Sequence, residues 1–289
     1  MINKRNILIA LYLFVVGILA VNIHIQMLKA GIPYPGKYFT APDWDNMVKA
    51  IIQLLGVLWL VSKLSNTKVT WSVSRKIIVV FFIMAAMMEL LLRLPLTAGY
   101  VNGQAFLFTW AAAYLPKLMW LLLSVTVVVL LSLQNKKGQY SHIFVRLVIL
   151  AVYAVLSVIF FMPLFTALCS KLLPFLTPPD PANIIPWPYN FTTTIIASIF
   201  YIEPVIACFI VASFIWDEKA GFLSQLTKVT FIILILNQGL VKFIVFMFYN
   251  SLPLSQALLC IGQFTLGSIF IGIMVSGLLF YLRRDSALI

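Results

Sequence analysis

The sequence predicts an all-α polytopic membrane protein, a transmembrane bundle of about eight helices with both termini in the cytoplasm. Composition is the first observation: 63% of the 289 residues are hydrophobic and only 10% are charged, with a mean hydropathy of +1.06. Soluble domains carry about 25% charged residues, so this chain lacks the polar surface that a water-soluble fold needs. Disorder is excluded by the same numbers, because it requires low hydrophobicity and high charge. The second observation is the length of the apolar runs. A helix needs about 20 apolar residues to cross the bilayer, whereas a barrel would show short alternating segments. The third is charge placement, which alternates from one connection to the next.

Eight spans follow, at about 6–28, 46–63, 77–99, 106–133, 144–172, 190–216, 228–250 and 255–282. Span 1 follows Lys4-Arg5 and stays apolar to Leu28. Its Asn22-Ile23-His24-Ile25 stretch has no small-x-small cleavage pattern, so it reads as a retained helix rather than a signal peptide. Span 3 contains Glu89 and Arg93, span 4 Pro116-Lys117, span 6 Glu203-Pro204, and span 7 Asn237, Gln238 and Lys242. The connections after spans 2, 4 and 6, together with the two termini, hold 13 of the 20 Lys and Arg residues. The positive-inside rule places these segments in the cytoplasm, which requires an even number of spans. The net charge of +12 is therefore a topology signal, and nucleic acid is not an expected partner. Membrane lipid is, as is a membrane-protein or ATPase subunit of a larger assembly. The expected location is the bacterial cytoplasmic membrane.

The outer loops 29–45 and 173–190 hold nine of the fourteen prolines. Proline fixes φ and disfavours helix in the residue before it, so both loops are expected to be stiff and extended. Trp44, Asp45 and Trp187 make them candidates for a lid or a partner-docking surface, with the aromatic rings at headgroup level.

The halves 1–137 and 138–289 read as two weakly similar repeats of four spans each. Each opens with a hairpin carrying a Pro-, Asp- and Trp-rich outer loop. Their third spans align as Glu89-Leu-Leu-Leu-Arg93 against Gln238-Gly-Leu-Val-Lys242. An even number of spans per repeat gives both the same orientation, about an axis along the membrane normal.

Charges inside spans carry most of the functional information. Ionisable groups at mid-bilayer are costly, and they face protein or water rather than lipid. Glu89, Arg93, Lys117, Glu203 and Lys242 qualify, with Gln238 beside them. On a continuous helix Glu89 and Arg93 share one face. The expected pairings are Glu89 with Arg93 or Lys117, and Glu203 with Lys242. Pro116 and Pro204 free backbone carbonyls next to these charges. Interrupted helices beside intramembrane charges mark binding sites in transporters. Three bases against two acids favour an anionic ligand.

Enzyme readings lack parts. Glu89-x-x-x-Arg93 is similar to the Glu-Glu-x-x-x-Arg signature of the CAAX-protease-like intramembrane family. Met88 replaces the first Glu, however, and the only later histidine is His142, in a cytoplasmic loop. No Gly-rich phosphate loop or nucleophile elbow occurs. Two histidines, three scattered cysteines and eight acids give no metal-ligand spacing. No catalytic residue, metal or cofactor is expected. The favoured function is transport of a small or lipid-like ligand, bound at a midplane charged site between the halves. The rivals are a non-transporting accessory or immunity-type protein acting through its outer loops, and a lipid-modifying enzyme using Glu89 or Glu203 as base.

Overall fold

The computed structural model describes residues 4–65, 71–92, 106–133, 140–172 and 191–286, and these are almost entirely helical. The helices are α1 (Lys4–Lys29), α2 (Asp45–Ser65), α3 (Val73–Met87), α4 (Phe106–Leu133) and α5 (Tyr140–Leu156). A π-helical turn, Ser157–Phe161, joins α5 to α6 (Met162–Leu172). Then come α7 (Phe191–Phe200), α8 (Ile202–Ile215), α9 (Phe222–Leu236), α10 (Gly239–Phe248) and α11 (Leu254–Ser286). Among the described residues, six helical stretches are long and apolar enough to cross a membrane, and the bent pair α9–α10 makes a seventh if counted as one span. The chain is thus a polytopic helical membrane protein. Arg93, Trp187 and nearly all of loop 173–190 lie outside the described residues.

The chain divides into two compact units, Met1–Pro42 with Ile185–Ile289, and Asp43–Ile184. This grouping concerns compactness, whereas the 137/138 division concerns sequence kinship.

In the first unit α1 packs on α7, α8 and α11, while α11 also packs on α8, α9 and α10. Close approach needs small residues. A Cβ on Gly17 would lie 3.3 Å from the backbone nitrogen of Ile202, so α1 and α8 touch almost backbone to backbone. On Gly272 it would lie 2.5 Å from Thr230 Oγ1, which fixes the crossing of α9 and α11. Tyr12 donates its hydroxyl to the Met274 carbonyl (3.0 Å), joining α1 to α11. Helix α1 stops where Gly31 takes φ +85°. Gly31 N–H reaches the Leu28 carbonyl (3.0 Å) and Ile32 N–H the Met27 carbonyl (3.1 Å), a Schellman ending that satisfies two orphan carbonyls. The segment beyond it crosses the connection from α10 to α11. There Thr40 N–H meets the Tyr249 carbonyl (3.2 Å) and Ser251 N–H the Tyr38 carbonyl (3.0 Å).

In the second unit α2 packs on α3, α4 and α5, and α4 packs on α3 and α6. Lys76 donates to Ser65 Oγ (3.0 Å), fastening the start of α3 to the end of α2. Ser124 and Tyr153 share a hydrogen bond (3.0 Å) that ties α4 to α5.

Three predicted spans are not the continuous helices expected. Span 6 pauses at Tyr201 between α7 and α8, although Ala197–Ile215 still forms one passage. Span 7 bends by 68° between α9 and α10. Span 3 stops being helical after Met87, and residues 88–92 form a turn and bend. The shared helical face expected for Glu89 and Arg93 is therefore not formed over 89–92. Hydropathy cannot register these interruptions, because the breaking residues are as compatible with a span as their neighbours.

Candidate functional site

Only two non-glycine residues among those described have positive φ: Glu89 (+55°) and Gln238 (+63°). These are the two residues that the sequence alignment of the halves sets opposite each other. Their surroundings match bond for bond. At the end of α3, Met88 N–H donates to the Met84 carbonyl and Glu89 N–H to the Ala86 carbonyl, each at 3.0 Å. At the end of α9, Asn237 N–H donates to the Ile233 carbonyl (3.0 Å) and Gln238 N–H to the Ile235 carbonyl (3.1 Å). The capping residues agree as well: Met88 has φ −90°, ψ 5° and Asn237 φ −87°, ψ 6°. Each helix ends in a turn whose left-handed position ordinarily takes glycine. A side chain there costs about 1–2 kcal/mol.

The next residue separates the two turns. Leu90 N–H completes the Schellman pattern on the Ala85 carbonyl (2.9 Å). Gly239 N–H instead meets Asn237 Oδ1 (2.8 Å), and the other end of that amide donates to Ser268 Oγ on α11 (2.9 Å). Lys242 N–H then takes the Gln238 carbonyl (2.9 Å) and α10 proceeds. The bend in span 7 is thus held by side chains. Asn237 is visible in the sequence as an intramembrane amide, but Ser268 carries no signal that distinguishes it from other small residues in spans.

The predicted residues divide between the two units. Glu203, Gln238 and Lys242 belong to the first, and Glu89, Lys117, Trp44 and Asp45 to the second. Glu203 is buried in the first turn of α8. Lys242 is exposed and its ammonium approaches the Asn237 carbonyl at 3.4 Å. Lys117 is also exposed, its ammonium 5.2 Å from the ring centre of Tyr114. Trp44 is 41% exposed, as a docking residue must be. Asp45 is not: it is buried at the start of α2, where one carboxylate oxygen pairs with Lys49 and the other, Oδ1, has no hydrogen-bond partner. Arg93 and Trp187 lie outside the described residues.

A second polar cluster surrounds the buried side chain of Gln263 on α11. His24 Nδ1 and Gln263 Oε1 are 2.8 Å apart, and Gln263 Nε2 donates to the carbonyls of Pro33 (3.0 Å) and Cys260 (2.6 Å). His24 also stacks near Phe264, with ring centres 4.6 Å apart. This cluster fastens α1 and the chain after it to α11. It gathers no metal-ligand set, and no group of three His, Cys, Asp or Glu residues occurs among those described. The three cysteines are buried and unbridged.

Comparison with family models, curated proteins and solved structures finds no match to this chain.

Proposed function

We propose that the protein is a transport-type protein of the bacterial cytoplasmic membrane, with eight spans and both termini inside. It is built from two kindred four-span repeats of one orientation, and it binds a small or lipid-like anionic ligand at its interrupted spans. The residues of this site are Glu89, Arg93, Lys117, Glu203, Gln238 and Lys242. The observation that carries the reading is the pair of matched breaks at Glu89 and Gln238. Helices interrupted beside polar groups at membrane depth are tolerated where they line a cavity, and transporters use them to hold substrate and ions. Strain kept at a non-glycine residue is a pointer to function.

Burial registers support the repeat. Lys76, Val80, Ile83, Met84 and Met87 on α3 are buried, as are the residues 149 positions later, Gln225, Val229, Ile232, Ile233 and Leu236 on α9. At an interval of 151, Leu54, Gly56, Val57, Leu60, Val61 and Leu64 on α2 correspond to Val205, Ala207, Cys208, Val211, Ala212 and Ile215 on α8, all buried. The same interval relates Trp120, Leu121, Ser124, Val125 and Val128 on α4 to Ile271, Gly272, Val275, Ser276 and Leu279 on α11. Leu13, Gly17 and Ala20 on α1 are matched 137 positions later by Leu150, Ala154 and Ser157. Helix neighbours correspond too. Helix α1 packs on α8 and α11, while α5 packs on α2 and α6 on α4. In this reading the first span of each repeat sits with the last three of the other.

Thiol labelling tests the proposal without knowledge of the cargo. In a variant with the three native cysteines replaced, Glu89→Cys and Gln238→Cys are expected to react with a water-soluble, membrane-impermeant maleimide despite their depth. Labelling from both membrane faces fits alternating access. If neither position reacts from either face, the breaks are dry structural turns and the transport reading is wrong. The exposed indole of Trp44 favours one second reading, partner docking at the outer surface. Under that reading Trp44→Ala abolishes partner capture and the breaks tolerate substitution.

A further inference from the structure

We infer that the two breaks have diverged: the one at Gln238 is latched shut, and the one at Glu89 is the open site, where Lys117 holds a carboxylate or phosphate group and Glu89 is the counter-ion that group displaces. This rests on the repeat reading above and assigns its ligand chemistry to one of the two kindred positions.

The latch is on the page for the Gln238 break. Asn237 is engaged at both ends of its amide, donating to Ser268 Oγ at 2.9 Å and accepting from Gly239 N–H at 2.8 Å. These bonds join the break to α11 with neutral groups only. The intervals of 149 for the third spans and 151 for the fourth carry Asn237 onto Met88 and Ser268 onto Lys117. Methionine has no amide, so the equivalent latch does not form. A cation stands where the hydroxyl stands, and a carboxylate, Glu89, where Gln238 carries an amide. Helix α3 packs on α4, as α9 packs on α11, so the correspondence extends to the helix pair that carries these residues.

Lysine at that position is costly in an apolar span unless it has water or a counter-charge to meet. Its ammonium is compact, with three freely directed donors, and binds oxyanions as a point charge. It is exposed rather than packed away, over the Tyr114 ring at 5.2 Å. A metal cation fits this position poorly, because hard cations gather six or more oxygens and no cluster of three acidic or imidazole ligands occurs among the described residues. Oxyanion binding uses what is present. The ligand oxygen takes the ammonium donors, and Glu89, now beside a second negative group, turns away toward water.

The experiment measures unfolding midpoints of the full chain, since a ligand that binds only the folded state raises the midpoint with concentration. One arm adds inorganic phosphate or acetate to protein in neutral detergent. The other compares lipid discs of phosphatidylglycerol with discs of phosphatidylcholine. A saturable rise in the first arm identifies a solute oxyanion, and in the second a lipid phosphate. Lys117→Ser, which installs the residue of the latched break, is expected to weaken the effective arm at least tenfold. Lys117→Gln, close to the native size, is expected to do the same and decides the matter if the serine variant fails to fold. Ser268→Ala is expected to leave binding intact. The inference is overturned if neither arm stabilises the native chain, or if both Lys117 variants bind as it does. Loss of binding on Lys242→Ser, with Lys117→Ser unaffected, sinks this assignment but leaves the broken-span reading standing. Absence of maleimide labelling at both breaks sinks that reading itself.

Discussion

Glu89 and Gln238, 149 positions apart in the chain, hold the same left-handed backbone conformation one residue past the cap of their helices. Glycine would occupy either position without strain. That neither position is glycine separates these turns from the ending of α1, where Gly31 takes φ +85° in a simple stop.

Replacing Gln238 by glycine is expected to raise stability by about 1 kcal/mol, because the left-handed strain disappears. Glu89→Gly is expected to act in the same direction. Both substitutions remove a polar group from the proposed site, so ligand response should fall as the unfolding midpoint rises. Midpoints in detergent, measured with and without phosphate, check the two effects separately. A fall in stability for both variants would show that the side chains, not the turns, hold these segments.

Helix crossing at Gly272 allows no side chain. Gly272→Leu places atoms where Thr230 Oγ1 and its Cα lie only 2.5 and 3.1 Å from an added Cβ. The expected cost is about 1–3 kcal/mol, the usual range for overpacking a close-packed interface. Thr230→Val provides the contrast. It removes a buried hydroxyl with no hydrogen-bond partner and keeps its shape, so it should be neutral or stabilising. Unfolding midpoints of the two variants are expected to move in opposite directions, or the second not at all.

Asn237→Ala breaks the tie to Ser268. Hydrogen bonds between helices in a membrane are worth about 0.6 kcal/mol on average and up to about 1.7 kcal/mol. Stability should therefore drop only modestly. The larger expected effect is faster hydrogen exchange at Gly239, whose N–H loses its acceptor.

Gln263→Leu is expected to cost more, about 1–3 kcal/mol, because it strips the Pro33 carbonyl of its amide donor in a buried setting. Protease sensitivity of the segment 30–42 measures the loosening directly. Unchanged cleavage there would show that the strand-like pairing of Tyr38 and Thr40 with Tyr249 and Ser251 suffices to hold it.

Much of the architecture is legible in the sequence because span formation depends on run length and charge, which a linear pattern carries. The alignment of Glu89 with Gln238 is legible for the same reason: both are polar residues in apolar surroundings. Backbone conformation at those residues is not, since φ +55° at a glutamate arises from the competition of a helix end with its neighbours. The exposure of Lys117 and the burial of Asp45 are equally hidden. Hydropathy treats all faces of a helix alike. Nor does any local signal say that α1 packs on α8 and α11.

That partnership sets the order in which the molecule can be made. Helix α1 leaves the ribosome first, yet α7, α8 and α11, the helices it packs on, are encoded from residue 191 onward. At about 5–20 residues per second, synthesis leaves it waiting roughly ten seconds or more before the earliest of them emerges. During that interval its buried stripe, Val16, Ala20 and Ile25 among it, faces lipid or the insertion machinery. Gly17, which brings α1 so close to Ile202, meets no helix of its own half of the chain in the finished unit. Assembly is therefore governed by the end of translation, and a chain arrested before α11 is expected to leave its first helix an orphan, exposed to membrane quality control.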